Sequence, residues 1–416
     1  MEPQFEDFLI ELEDFEVRKM KTFGRGWNPT FGGSIASSPK ISDEILYFGS
    51  FDQNVYAVDP EKGKEIWRTK LGGLITFCNP AFWNNLVMIG AYDNNFYALD
   101  RRNGKIKWVV KTGDKIAIGG SVDSGIVYFG SRDSYFYAVH AESGKVLWRF
   151  KAGNTIGCNP TIQGNKVLFG SYDGNYYCLD KKTGEELWRF KTGDEILSDN
   201  PFQIHGKTIY IASFDSNVYA LDIETGKEIW RFRTGKYGNT GAPFYHKERI
   251  YHGCRDGIIY CLGAETGKEI WRFQAEGLVV QVAVHNGRLY FGDEEGNFYC
   301  LNLEGKEVWR FRTSGGVYTF PLFYKDSVYF GSMDCHLYAL TLDGEEIWKF
   351  ATSTLTTSDI GKPYEMFEVV VKRERTEEEI KEEEKYEVNI SKIEEGEYET
   401  KSEYQVKVEY QQKMKY

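Results

Sequence analysis

Short runs of apolar and aromatic residues recur along most of this chain, broken at regular points by Asp, Asn and Gly. Val127-Tyr128-Phe129-Gly130-Ser131 is followed by Asp133-Ser134 and then by Phe136-Tyr137-Ala138-Val139. Two runs of strand length separated by an Asp-polar pair predict a tight hairpin, and Asp173-Gly174 and Asp256-Gly257 are the clearest such turns. A second turn follows at once in the form Asp222-Ile223-Glu224-Thr225-Gly226-Lys227, where Asp bonds backbone donors two residues on and Gly supplies positive φ. The next strand, Glu228 to Arg233, carries a tryptophan, and a fourth apolar segment such as Thr155 to Pro160 precedes the next hairpin.

This unit is written eight times. Trp67, Trp108, Trp148, Trp188, Trp230, Trp271, Trp309 and Trp348 lie about 38 to 42 residues apart, each inside a near-copy of the Tyr210–Thr234 passage YIASFDSNVYALDIETGKEIWRFRT. Four short antiparallel strands per repeat of about 40 residues make a propeller blade. Eight such repeats predict an all-β, eight-bladed β-propeller over residues 27–357, a ring whose closure hides the sheet edges. A large aromatic at one strand position in every blade is packing between blades, not a ligand platform.

The sentence GSxDGxxYALDxxTGKxxWxF resembles the repeat of the pyrroloquinoline-quinone-like β-propellers, over about residues 31–353. That family includes quinoprotein alcohol dehydrogenases and the propeller subunit of the bacterial outer-membrane β-barrel assembly machinery. Every copy keeps a Gly four residues before its Trp, from Gly63/Trp67 to Gly344/Trp348. The resemblance implies that the tryptophans dock neighbouring blades around the outside of the ring. For the family's enzymes it also implies an axial quinone and calcium, a disulfide between adjacent cysteines, a Trp platform and a Glu/Asn/Asp calcium set. This sequence has no Cys-Cys dipeptide. No catalytic, cofactor-binding or metal residue is assigned, and no cofactor is expected.

The formal charge of −11 sits mainly on the ends. Residues 1–24 hold 7 acidic and 3 basic side chains, and residues 362–416 hold 16 and 11, leaving the repeat body near −2. A nearly neutral body has no basic stripe to displace counterions from phosphates, so nucleic acid is not an expected partner. The N-terminus lacks the basic, apolar and small-residue regions of a secretion signal. No stretch approaches the roughly 20 apolar residues of a membrane span. Seven cysteines without a CxxC pair indicate neither a disulfide framework nor a zinc ribbon, and a cytoplasmic location follows as the expectation.

Candidate chemistry is sparse. Asn79, Asn159, Asp199, Asn200 and Gln281 fall on the innermost segments and line a candidate axial channel, where amides and one carboxylate either bind a small ligand or ion or bond backbone and trapped water. The Asp at each hairpin tip (Asp52, Asp93, Asp133, Asp173, Asp215, Asp256 and Asp334, with Glu295 in the seventh copy) is read as a turn former. Cys178, Cys261 and Cys300 take the slot of Ala in Tyr-Ala-Leu and act as small apolar residues. Just before the tip Asp lie Phe51, Tyr92, Arg132, Tyr172, Phe214, Arg255, Glu294 and Met333. Aromatics, Arg and Met are enriched in protein interfaces, so these positions are the candidate partner-binding face, with Tyr237 on the same side.

Residues 1–26 form an N-terminal extension. Phe5, Phe8, Leu9, Leu12 and Phe15 have helical spacing, and Glu16–Thr22 reads as a decayed ninth tryptophan strand that closes the last blade. Residues 358–416 form a charged extension with alternating segments at Phe367–Val371, Tyr386–Ile390 and Tyr404–Tyr410. The expected function is a non-catalytic scaffold binding a protein through one face of the ring, as a monomer or weak oligomer. A quinone-dependent dehydrogenase and a small-ligand sensor using the axial channel are the alternatives.

Overall fold

Each copy of the repeat folds into one four-stranded antiparallel sheet whose strands follow chain order. The structure, a computed structural model, describes residues 16–18, 32–235, 237–352 and 370–372. Blade 5 is typical, with strands Ile204–His205, Thr208–Ser213, Asn217–Asp222 and Glu228–Arg233 running from the ring axis outward. Eight such sheets run from Lys40–Ser42 of blade 1 to Glu346–Ala351 of blade 8, and no helix occurs among the described residues.

In every blade the ladder between third and outer strands slips at the same point. Cys178 faces Trp188 but Leu179 faces Glu186, so Leu187 is the extra residue of a β-bulge. Beside the bulge the tryptophan keeps its place in the ladder and packs its ring on the next blade. Trp188 donates Nε1–H to Ile223 O at 3.1 Å and lies against Gly226, both in the turn of blade 5. All eight tryptophans repeat this contact, from Trp67 on Arg101 O and Gly104 to Trp348 on Pro60 O and Gly63. The conserved spacing of Gly and Trp within a repeat thus joins different partners. Each Gly receives the ring of the preceding blade, and its φ, +69° at Gly226, keeps the turn tight beneath it.

Opposite each Trp in the ladder stands Ala or Cys, as Cys178, Cys261 and Cys300 do for Trp188, Trp271 and Trp309. A small side chain there leaves room for the indole. All seven cysteines are buried, so the thiols serve as apolar filler. The core consists of a series of inter-blade layers of Tyr, Phe, Val and Leu, because each sheet is covered on both faces by its neighbours.

Closure differs from the expected ninth strand. Glu16–Arg18 pairs antiparallel with Val370–Lys372, and all four strands of blade 8 come from its own repeat. Blades 8 and 1 meet through the same devices as any other pair. Trp348 Nε1–H bonds Pro60 O at 3.1 Å, Tyr329 Oη–H bonds the same carbonyl at 3.0 Å, and Ile35 N–H bonds Ser332 O at 3.1 Å. The tryptophan staple makes a borrowed strand unnecessary. The chain divides into two units, Phe23–Ile360 and the two ends together, Met1–Thr22 with Gly361–Tyr416. The expected helix at Phe5–Phe15 and the strands beyond residue 385 lie outside the described residues.

Candidate functional site

The hairpin tips between second and third strands lie on the same face as the links from blade to blade. Tyr92 N–H bonds Leu74 O at 2.9 Å and Arg132 N–H bonds Lys115 O at 2.9 Å, tying each tip to the link that enters its blade. The tip carboxylates hold this rim rigid. Asp215 accepts Asn217 N–H at 2.9 Å, Tyr219 Oη–H at 2.5 Å and Gly193 N–H of the link at 2.7 Å. The Asp–Tyr bond recurs in all eight blades. In the seventh blade the acid is Asp293, not Glu295, because a carboxylate two residues earlier reaches both Asn297 N–H and Tyr299 Oη. Burial works to raise the Asp173 and Asp334 carboxyls, but bonds from Tyr177 and Asn175 to the first and from His336 and Tyr338 to the second hold both below the usual carboxylate range. The tip acids are therefore engaged in structure.

The candidate binding residues divide into two groups. Phe51, Phe214 and Met333 are buried, as is Glu294, and form the floor of the face. Tyr92, Arg132, Tyr172 and Arg255 are half-buried. The Arg132 guanidinium stands 5.6 Å from the Tyr92 ring centre and Arg255 5.1 Å from that of Phe214, so each arginine leans on the tip of the preceding blade. Tyr172 lies over Gly157, where a Cβ would come within 2.4 Å of its ring. Tyr237, in the link beside Phe214, is 54 % exposed, the most exposed large apolar side chain of the described residues.

Sequence reasoning missed a second apolar feature. The bulge residue before the tryptophan is an exposed aliphatic in seven blades: Ile66, Leu147, Leu187, Ile229, Ile270, Val308 and Ile347. Five of these outer strands also carry paired Glu and Arg, such as Glu186 with Arg189 at 2.6 Å and Glu228 with Arg231 at 2.5 Å. Charge along a free strand edge discourages pairing with another chain.

At the axis the structure brings together all five predicted channel residues. Asn79 Nδ2–H donates to Asp199 O at 2.5 Å and, at 3.5 Å, to Asn200 Oδ1. Asn159 Nδ2–H donates to Asp199 O, and Gln281 Nε2–H to Asp199 Oδ1. Gln281 reaches the axis because its strand slips register between Val279 and Val282. Asn79, Asn159, Asp199 and Gln281 are all buried. Burial pushes the Asp199 carboxyl up to about 7, opposed by its backbone amide and by Gln281. Among the described residues no group of three or more His, Cys, Asp or Glu is placed to hold a metal ion, and no helix is long and apolar enough to cross a membrane.

Comparison with known proteins agrees with this geometry. The family model described as the β-propeller of the beta-alanine-activating enzyme matches residues 121–373, well over half of the chain. The model for outer membrane protein assembly factor BamB matches residues 19–121. No curated protein matches. Among solved structures, BamB from Moraxella catarrhalis is 18% identical with a TM-score of 0.65, over 74% of this chain and 96% of that one. The computationally designed Ika8 protein is 17% identical with a TM-score of 0.66, over 76% and 98%. Quinohemoprotein alcohol dehydrogenase from Comamonas testosteroni is 16% identical with a TM-score of 0.64, over 83% and 78%. At these identities the structural likeness establishes the fold alone. The chain belongs to the β-propeller family described for the beta-alanine-activating enzyme, and its repeat is that of the pyrroloquinoline-quinone-like propellers.

Proposed function

We propose that this propeller is a non-catalytic, cytoplasmic scaffold that binds a protein partner through the face of hairpin tips and blade links. The observation that carries the reading is the pair of arginine–aromatic contacts across neighbouring blades, Arg132 on Tyr92 and Arg255 on Phe214, with exposed Tyr237 beside the second. Arginine and tyrosine held in place over a rigid floor lose little side-chain entropy on binding, which is the character of interface hot spots. The likeness to BamB, a protein named for assembly, is in keeping with it. Cytoplasmic residence accords with seven buried thiols.

Two experiments test the reading. Affinity capture from the native cell with the wild-type chain is compared with capture by the Tyr92→Ala/Tyr172→Ala/Tyr237→Ala variant, whose fold is checked by circular dichroism. The same specific partner retained by a folded triple variant counts against the face. Purified chain supplied with pyrroloquinoline quinone, calcium and an alcohol is expected to reduce no dye, and cofactor-dependent reduction would restore the dehydrogenase alternative.

A further inference from the structure

The hydrogen bonds of the axial cluster do not close among its own members. Asn79 is satisfied, since its Oδ1 accepts Ser38 N–H at 2.7 Å and its Nδ2 donates to blade 5. Three oxygens have no protein donor: Asn159 Oδ1, Asp199 Oδ2 and Gln281 Oε1. Their side chains are 1 %, 5 % and 2 % exposed and come from blades 4, 5 and 7. Asn159 spends its N–H on the Asp199 backbone carbonyl and Gln281 on the Asp199 carboxyl Oδ1, so both amides are anchored to one residue, each with its oxygen left over. Asn200 Nδ2 is the one donor left over, and its amide is fixed only by the 3.5 Å bond from Asn79. Turning that amide over exchanges Nδ2 for a fourth oxygen at small cost.

An excess of buried acceptors around a single carboxylate calls for positive charge. We propose that the axis of the ring is a binding site for one monovalent cation of the alkali-metal or ammonium class, held by Asn159 Oδ1, Asp199 Oδ2 and Gln281 Oε1. The ligands are oxygen throughout, which suits a hard cation and not a transition metal. Only one carboxylate is present, so a single positive charge neutralises the site, whereas a divalent ion would leave net charge in a buried position. The inner segments enclose the cluster, with Asn159 N–H on Ser198 O and Ser198 N–H on Gly157 O, both at 2.9 Å. Such an ion joins three blades that the outer tryptophan staples connect only in sequence. The site is independent of the protein-binding face and stands whether or not that face captures a partner.

The test is thermal unfolding of the full chain at pH 8 in tetramethylammonium chloride, a cation too large to enter, with NaCl, KCl, NH4Cl or CaCl2 substituted at constant ionic strength. At least one monovalent cation is expected to raise the midpoint by roughly 2 °C for each tenfold increase above its dissociation constant. Asp199→Asn should lose that dependence. If the variant does not fold, crystals of the wild-type chain soaked in thallium(I) give a direct readout, an anomalous peak within bonding distance of the three oxygens. Identical midpoints in all salts, a response to calcium alone, or an axial water with no thallium peak would each overturn the proposal.

Discussion

Blade 5 contains two glycines at positive φ that separate the tryptophan staple from simple backbone strain. Gly206, at +59°, closes the turn between its inner and second strands, and a Cβ there meets nothing within 4 Å. Gly226, at +69°, closes the turn before the outer strand, and a Cβ there would stand 2.5 Å from Cε3 and 2.7 Å from Cδ2 of Trp188. Alanine at either position costs about 1–2 kcal/mol for the left-handed backbone. At Gly226 the indole must also retreat by about an ångström to regain ordinary contact. That adds roughly 1–3 kcal/mol of overpacking and strains the Trp188 Nε1–H bond to Ile223 O, itself worth about 1 kcal/mol. Gly226→Ala should therefore destabilise the ring by about 2–3 kcal/mol more than Gly206→Ala, read from urea midpoints at equal slope. Equal costs within about 0.5 kcal/mol would refute the claim that the glycine is there to receive the tryptophan.

Two further outcomes follow from buried groups. His252 occupies the second-strand position filled by Phe129, Phe169, Phe291 or Phe330 in other blades, is fully buried, and neither ring nitrogen has a protein partner. Burial lowers its pKa from 6.5 to about 3, so the folded state keeps it neutral while the unfolded chain takes up a proton below pH 6.5. Its contribution is present above that pH and is lost as pH falls, by roughly 2 kcal/mol between pH 7 and 5; relative to wild type, His252→Phe should gain that amount in denaturant unfolding at pH 5, and parallel profiles would contradict it. The seven cysteines are buried, with Cys178 and Cys254 pushed up to about 12 by desolvation, so a thiol reagent at pH 8 should label none in the native chain and all seven in guanidinium. Rapid native labelling of Cys178 would show that its slot opposite Trp188 is open.

The sequence revealed the ring because one sentence was written eight times, and a tryptophan with a glycine four residues before it can recur only if each blade meets the next in the same way. Its bonding partners were harder to read. Gly226 and Trp230 are neighbours in sequence, yet Gly226 receives Trp188, a contact that exists only once the two blades pack together. Asp293 was hidden because alignment by copy number pointed to Glu295, while reach to Tyr299 decides the acid. The axial residues were legible from their place on the innermost segments, but their convergence on Asp199 depends on four blades meeting across the ring and on the register slip at Gln281. Exposure at the tips was not legible at all. Phe214 and Tyr172 hold equivalent positions, and one is buried while the other is half-buried because side chains of adjoining blades and links, not the local sequence, cover them.

The role proposed for this ring is to bind a protein through its face of hairpin tips and blade links. Its most direct test is calorimetric titration of the captured partner against the wild-type chain and the Tyr92→Ala/Tyr172→Ala/Tyr237→Ala variant, both folded. Loss of hot-spot tyrosines worth about 2 kcal/mol each predicts an affinity reduced by at least a hundredfold. An unchanged dissociation constant would contradict the assignment of that face.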